Sequence, residues 1–205
     1  MSELKRAYQT RFDLVLKPLA LAIEEQLHEY FGGRPRIDRI TARAKSVDRF
    51  VCKAEKEENG KRKYTEPLQQ IQDQVGARII IFYQSDVEPV ADIIRKYFRL
   101  IETKDVIPES EWEFGYFGKH FVALVPSDLV AQFKDKAHVP QFFELQVKTL
   151  FQHAWSEANH DLGYKTNSEL STDAKRRLAF TSAQAWGADR IFDELFDERK
   201  AGSAL

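Results

Sequence analysis

Four cations, Arg43, Lys45, Arg49 and Lys53, crowd one short stretch of the chain, with Lys56 just beyond. Along a strand, side chains repeat every two residues, so Arg43 and Lys45 project to the same side. On a following helix Arg49 and Lys53, four apart, share a face. A strand-to-helix junction also presents free backbone N–H groups, which favour anions. The cluster reads either as an anion pocket or as a solvated basic face. Asp73-Gln74-Val75-Gly76-Ala77-Arg78 sets a carboxylate ahead of a glycine and an apolar run, with Arg78 inside that run. Taken alone, Asp73 reads equally as a cap or turn residue. In the segment 142–149, Glu144, Gln146 and Lys148 alternate with Phe143, Leu145 and Val147. One face of such a strand is apolar and the other carries acid, amide and base. Two carboxylates, Asp73 and Glu144, on neighbouring strands among many cations suit a Mg2+-dependent reaction of a nucleoside triphosphate.

Two further segments carry candidate groups. Gly115-Tyr116-Phe117-Gly118-Lys119-His120 reads as a loop that lays a ring against a planar ligand, or as a hairpin turn with an exposed tyrosine. His153 and Trp155, two apart, do not share a helical face; Trp155 reads as core and His153 as turned toward a pocket. His160-Asp161 raises the alternative of an HD-type metal phosphohydrolase. Such a site needs more His and Asp ligands on other helices, and His28, His120, His138 and His153 have no such surroundings in the sequence.

The elements that must position these groups are legible from periodicity. Phe12, Leu16, Leu19, Ile23, Leu27 and Tyr30 recur at three and four, which predicts a helix interrupted or restarted at Pro18 and ended by Gly32-Gly33 and Pro35. Residues 37–44 read as a strand, Ser46 as the N-cap of a helix to about residue 56, and the charged run 57–64 as a mobile loop. A short helix opens at Pro67. Residues 77–83 form the strongest strand, a β-branched run fit for the centre of a sheet. A helix over 87–98, a short strand near Leu100 with an acidic loop after it, strands over 121–125 and 142–148, a helix over 149–160 and one or two helices over 172–196 complete the order. The expected fold class is α/β (α+β), a mixed β-sheet with some antiparallel pairing flanked by helices.

Composition narrows the class. The chain has 205 residues with 31 Lys+Arg against 32 Asp+Glu, so no large basic excess argues for general nucleic-acid binding. At 43% hydrophobic and 12% aromatic it holds enough apolar surface for a core, which excludes disorder of the whole. The single Cys52 excludes an intramolecular disulfide and a cysteine zinc cluster. No stretch approaches the ~20 apolar residues of a membrane helix, and the charged N-terminus lacks a signal-type apolar region. The expectation is a soluble cytoplasmic protein of one domain over 1–205: an N-terminal helical segment (1–35), a catalytic core (36–165) and C-terminal helices (166–205).

Read together, R-A-K-S with a later lysine (Arg43, Lys45, Ser46, Lys53), D-Q-V-G-A-R, G-Y-F-G-K-H, E-L-Q-V-K-T and H-A-W-S-E-A-N-H-D-L-G-Y-K resemble, in order and spacing, the synthetase domain of the RelA/SpoT family, specifically its small single-domain alarmone synthetases. The resemblance spans about residues 37–165. It implies a nucleotidyltransferase-like sheet and transfer of pyrophosphate from ATP to the 3′-hydroxyl of GDP or GTP, giving (p)ppGpp and AMP. By motif position it places Arg43 and Arg78 on either side of the adenine and Lys45 and Lys53 on the ATP phosphates. The same resemblance implies that Asp73 would hold Mg2+ and that Glu144 would face the acceptor hydroxyl as general base or second metal contact. By the same resemblance Tyr116 would stack on the acceptor base. The resemblance further implies Lys119, His120, Gln146 and Lys148 on the acceptor side and His153 near the base edge.

Departures from the family pattern fall mainly on the acceptor side. Phe117 stands where an arginine is common, Phe114 where an asparagine is, Asn159 where a glutamate is, and Lys148 replaces a usual arginine. Arg49 stands where a hydroxyl residue is expected. Lysine and arginine are not equivalent for bidentate phosphate contact. The alternative acceptors, by resemblance to toxic relatives, are the 3′ end of tRNA, which needs a basic approach surface, or an adenosine nucleotide. The resemblance also implies a homo-oligomer, commonly a tetramer; an antitoxin partner goes with the toxic alternative.

Overall fold

The computed structural model describes residues 2–105, 118–164 and 170–202. The N-terminal segment folds as α1 (Glu3–Arg11), a π-helical turn (Phe12–Leu16) and α2 (Lys17–Phe31). The expected interruption at Pro18 takes the form of that wider turn. Lys17 N–H reaches Phe12 O, five residues back, and the proline, which has no N–H to give, falls at the start of α2. Leu16, Leu19, Ile23 and Leu27 are fully buried, as their spacing predicts.

Strand β1 (Ile37–Ala44) runs into α3 (Val47–Ala54), with Ser46 at the N-cap position but making no side-chain capping bond. The charged run expected to be a mobile loop is instead a hairpin, β2 (Glu57–Glu58) and β3 (Lys61–Arg62). Asn59 and Gly60 both sit at positive φ, 54° and 72°, as a two-residue hairpin turn requires. Next come α4 (Pro67–Gln70), a 3-10 turn (Gln72–Gln74), β4 (Val75–Ile81) and α5 (Val87–Tyr97). Then follow β5 (Leu100–Asp105), β6 (Lys119–Leu124), α6 (Ser127–Ala131), β7 (Phe142–Thr149), α7 (Leu150–Tyr164) and α8 (Thr172–Gly202), the last a single 31-residue helix. No helix among the described residues is long and apolar enough to cross a membrane.

The main sheet has the order β1-β4-β7-β6-β5; β4 and β7 are parallel and the other pairs antiparallel. The mixed α+β expectation is thus met. Ala77, Ile79, Phe143, Leu145, Val147, Phe121 and Ala123 are buried in one core with α2 and α5. Because strand side chains alternate, the opposite face of the same strands carries the polar residues. Across it run two registered rows, Arg43–Gly76–Glu144 and Thr41–Arg78–Gln146–His120. The fold therefore commits one sheet face to stability and leaves the other for chemistry.

Candidate active site

A cleft of about 420 Å³ opens on this polar face, lined by Arg43, Lys45, Asp73, Arg78, Glu144 and Gln146 among others. Gly76 forms part of its floor. A Cβ there would meet no atom within 4 Å, so the glycine leaves open volume between Arg43 and Glu144.

Asp73 sits in the 3-10 turn ahead of β4, at φ −90° and ψ 33°. Its Oδ2 lies 2.8 Å from Lys45 Nζ and its Oδ1 3.0 Å from Lys53 Nζ. Burial pushes the carboxyl up, but the two ammoniums outweigh it and hold the group below the ordinary carboxylate range. The backbone fixes this arrangement: Lys45 N–H donates to Gln74 O at 2.8 Å, and the Tyr8 hydroxyl donates to Lys45 O at 2.8 Å. Tyr8 is itself buried and stacked on Phe50, with ring centroids 3.6 Å apart. Helix α1 thus braces the polar face of the sheet.

Glu144 accepts from Gln146 Nε2 at 3.0 Å, and its other oxygen lies 3.2 Å from His120 Nδ1. Burial again favours the neutral acid, yet the contact with His120 outweighs it and keeps the carboxyl below its usual range. Two ionised carboxylates therefore line one cleft. Among the described residues no three His, Cys, Asp or Glu side chains converge as a metal cage. A pair of hard oxygen donors is nonetheless what Mg2+ uses when substrate phosphates and water complete its shell, so the donor set fits that ion.

Arg78 is pinned twice. Its Nε donates to Gln146 Oε1 at 3.2 Å and its Nη1 to Glu157 Oε1 at 2.5 Å. Arg43 shares its face, one row along, and burial followed by repulsion from Arg78 lowers its pKa. His153, on α7, is pushed down by burial and then by Arg78; its Nδ1 is buried without a hydrogen-bond partner, as is His120 Nε2.

The structure thus brings Arg43, Lys45, Lys53, Asp73, Arg78, His120, Glu144, Gln146 and His153 to one face. Two predicted residues are placed differently. Lys119 belongs to the opposite side of β6 from His120; its ammonium pairs with Glu88 at the start of α5, away from the cleft. Lys148 keeps the correct face but is only 4% exposed, roofed by α7, where Nζ donates to Ser156 Oγ at 2.9 Å. Burial, then the positive charge of Arg78, brings its pKa down to about 8. Tyr116 lies outside the described residues. Gly118, read as part of a ligand loop, has a packing reason: a Cβ there would fall 2.1 Å from Val147 O.

Glu157 and Tyr8 are the residues that sequence reading missed. For Glu157 a signal existed, because it stands four residues after His153 and so shares its helical face. For Tyr8, within a helix read only as scaffold, none did.

GTP pyrophosphokinase YjbM of Bacillus subtilis (strain 168) is 29% identical over 208 residues, covering 95% of this chain and 92% of its own length. Among solved structures, the small alarmone synthetase 1 from Bacillus subtilis bound to its product pppGpp superposes with a TM-score of 0.71 at 24% identity, covering 95% of this chain and 97% of that one. A GTP pyrophosphokinase family protein from Streptococcus pneumoniae gives a TM-score of 0.72 at 22% identity, covering 100% and 98%. At these identities the structures establish a shared fold. A family model described as the region found in RelA / SpoT proteins matches residues 42–169, more than half of the sequence and all of the cleft-lining strands β4 and β7. The chain belongs to the RelA/SpoT family.

Proposed function

We propose that this protein is an ATP-dependent pyrophosphokinase that modifies the 3′-hydroxyl of GDP or GTP to give (p)ppGpp and AMP. The observation that carries the reading is the single cleft in which Asp73 and Glu144, both held ionised, face Arg43, Lys45 and Arg78. The names of the curated relatives support it.

In this reading the acceptor 3′-oxygen attacks the β-phosphorus of ATP; the bond from that phosphorus to the α,β-bridging oxygen breaks, and AMP leaves. Such a step depends on in-line positioning and on compensation of triphosphate charge. Lys45 and Lys53 lie where the phosphates would pass, already paired with Asp73. Arg43 and Arg78 offer planar guanidiniums that stack on a purine better than ammoniums do. Glu144 stands beside His120 on the acceptor side, able to take the hydroxyl proton. Mg2+, held by Asp73 and Glu144 when bound, would neutralise charge on the triphosphate.

Purified protein with Mg2+ and γ-labelled ATP, offered GDP, GTP, AMP, ATP or bulk tRNA in parallel, tests the reading. Label in a guanosine 3′-pyrophosphate is the expected result. Label in tRNA or an adenosine nucleotide alone would overturn the guanosine assignment and make Phe114 and Phe117 determinants of that other acceptor.

A further inference from the structure

We propose that Glu157 selects the base of the nucleotide donor, its free carboxylate oxygen accepting a hydrogen bond from the exocyclic amino group of adenine. The inference rests on the reading above that Arg43 and Arg78 flank the donor base.

Two guanidiniums on adjacent strands make a platform that any purine can use, because stacking reads the π-face and not the edge. Discrimination needs a group in the plane of the base. Glu157 is the carboxylate bonded to the edge of one of these guanidiniums. Its Oε1 is bound to Arg78 Nη1 at 2.5 Å, and it lies close enough to Arg43 for the two charges to interact. No described residue donates to its Oε2, and the side chain is 44% exposed, so that oxygen is open to a ligand. Helix α7 delivers it from above, while β4 delivers Arg78 from the sheet.

The chemistry is directional. Adenine presents an N6 amino donor at this edge, which a carboxylate accepts. Hypoxanthine presents the O6 carbonyl there, which faces the carboxylate acceptor to acceptor. Sliding the base to offer its N1–H instead would move the triphosphate off Lys45 and Lys53. A site whose charged acceptor is left facing an acceptor loses both the bond and the solvation it gave up, and discrimination of ten- to hundred-fold or more follows. The same carboxylate pins the Arg78 guanidinium, so Glu157 is a positioning residue for the stacking cation as well as a reader of the edge.

The two roles separate in one experiment. kcat/KM is measured for ATP and for ITP as donors, at a saturating level of the preferred acceptor, for wild type, Glu157→Gln and Glu157→Ala. The wild type is expected to favour ATP at least ten-fold. Glu157→Gln, whose amide can donate to O6, is expected to raise kcat/KM for ITP in absolute value and to cut the ATP/ITP ratio by ten-fold or more. If both donors fall together and the ratio holds, Glu157 only positions Arg78 and the inference is overturned. Arg43→Ala and Arg78→Ala in the same assay test the reading beneath it. If neither raises KM for ATP, the donor base lies elsewhere; if both do and the Glu157→Gln ratio is unchanged, the base-selecting role alone is wrong.

Discussion

Lys45 Nζ lies 2.8 Å from Asp73 Oδ2, and the backbone N–H of the same lysine bonds to the carbonyl of the next residue, Gln74. The segment after β1 that carries Lys45 and the turn that carries the acid are therefore locked together twice. Asp73→Asn is expected to fold and to lose transfer activity by orders of magnitude. Its effect on stability should depend on pH. A carboxyl held low in the folded state adds stability above its unfolded pKa, near 4, and loses it as pH falls through the folded value. Thermal melts from pH 6 to 3 should show wild type losing more than Asp73→Asn; parallel curves would contradict the pairing.

Lys148 yields a slope of the same sign at the alkaline end of the pH scale. Its folded pKa, about 8, lies below the ordinary lysine value, so the unfolded chain binds more protons from pH 8 upward and stability rises there. Lys148→Met, an apolar replacement for a buried stem, should flatten the rise in melting temperature between pH 7.5 and 9.5. An unchanged slope would show that this ammonium is solvated in the native protein.

Two glycines separate site from scaffold. Gly76→Val fills open cleft volume between Arg43 and Glu144 and should raise KM for ATP ten-fold or more while leaving the melting temperature nearly unchanged. Gly118→Ala drives a methyl into Val147 O, and overpacking of this kind costs about 1–3 kcal/mol. A stable Gly118→Ala variant would contradict the close strand approach.

These contrasts show what a sequence can carry. The alternation in β7 placed Glu144, Gln146 and Lys148 on one face because period-two geometry is local. The same rule separates Lys119 from His120 once β6 begins at Lys119; a strand read from 121 leaves both in a loop. The depth of Lys148 was not readable, since it depends on α7 folding back over β7 to bring Ser156 within 2.9 Å. Nor was the Arg78–Glu157 pair, which joins residues 79 apart in the chain. The hairpin 57–62 is legible in Asn59-Gly60, though the surrounding charges read equally as a loop.

Self-association is proposed on α8. Phe180, Ile191 and Leu195 are each more than half exposed, on the side of the helix away from buried Ser182 and Asp189. An antiparallel second copy of the helix would set Phe180 against Leu195 and Arg177 against Glu198, a self-complementary pattern suited to a two-fold axis. Sedimentation of wild type and of Ile191→Asp with Leu195→Asp should show an oligomer for the first and a smaller species for the second. Identical masses would remove this face from the assembly.

Pyrophosphate transfer, as distinct from phosphate transfer or hydrolysis, is the claim on which everything else depends. The direct measurement is the nucleotide balance of a single reaction with wild-type protein, ATP, GDP and Mg2+, resolved by chromatography. Pyrophosphate transfer yields AMP and a guanosine 3′-pyrophosphate in equal amounts, and both should be abolished in Glu144→Gln. Accumulation of ADP, or of AMP with free pyrophosphate and unmodified GDP, would contradict it.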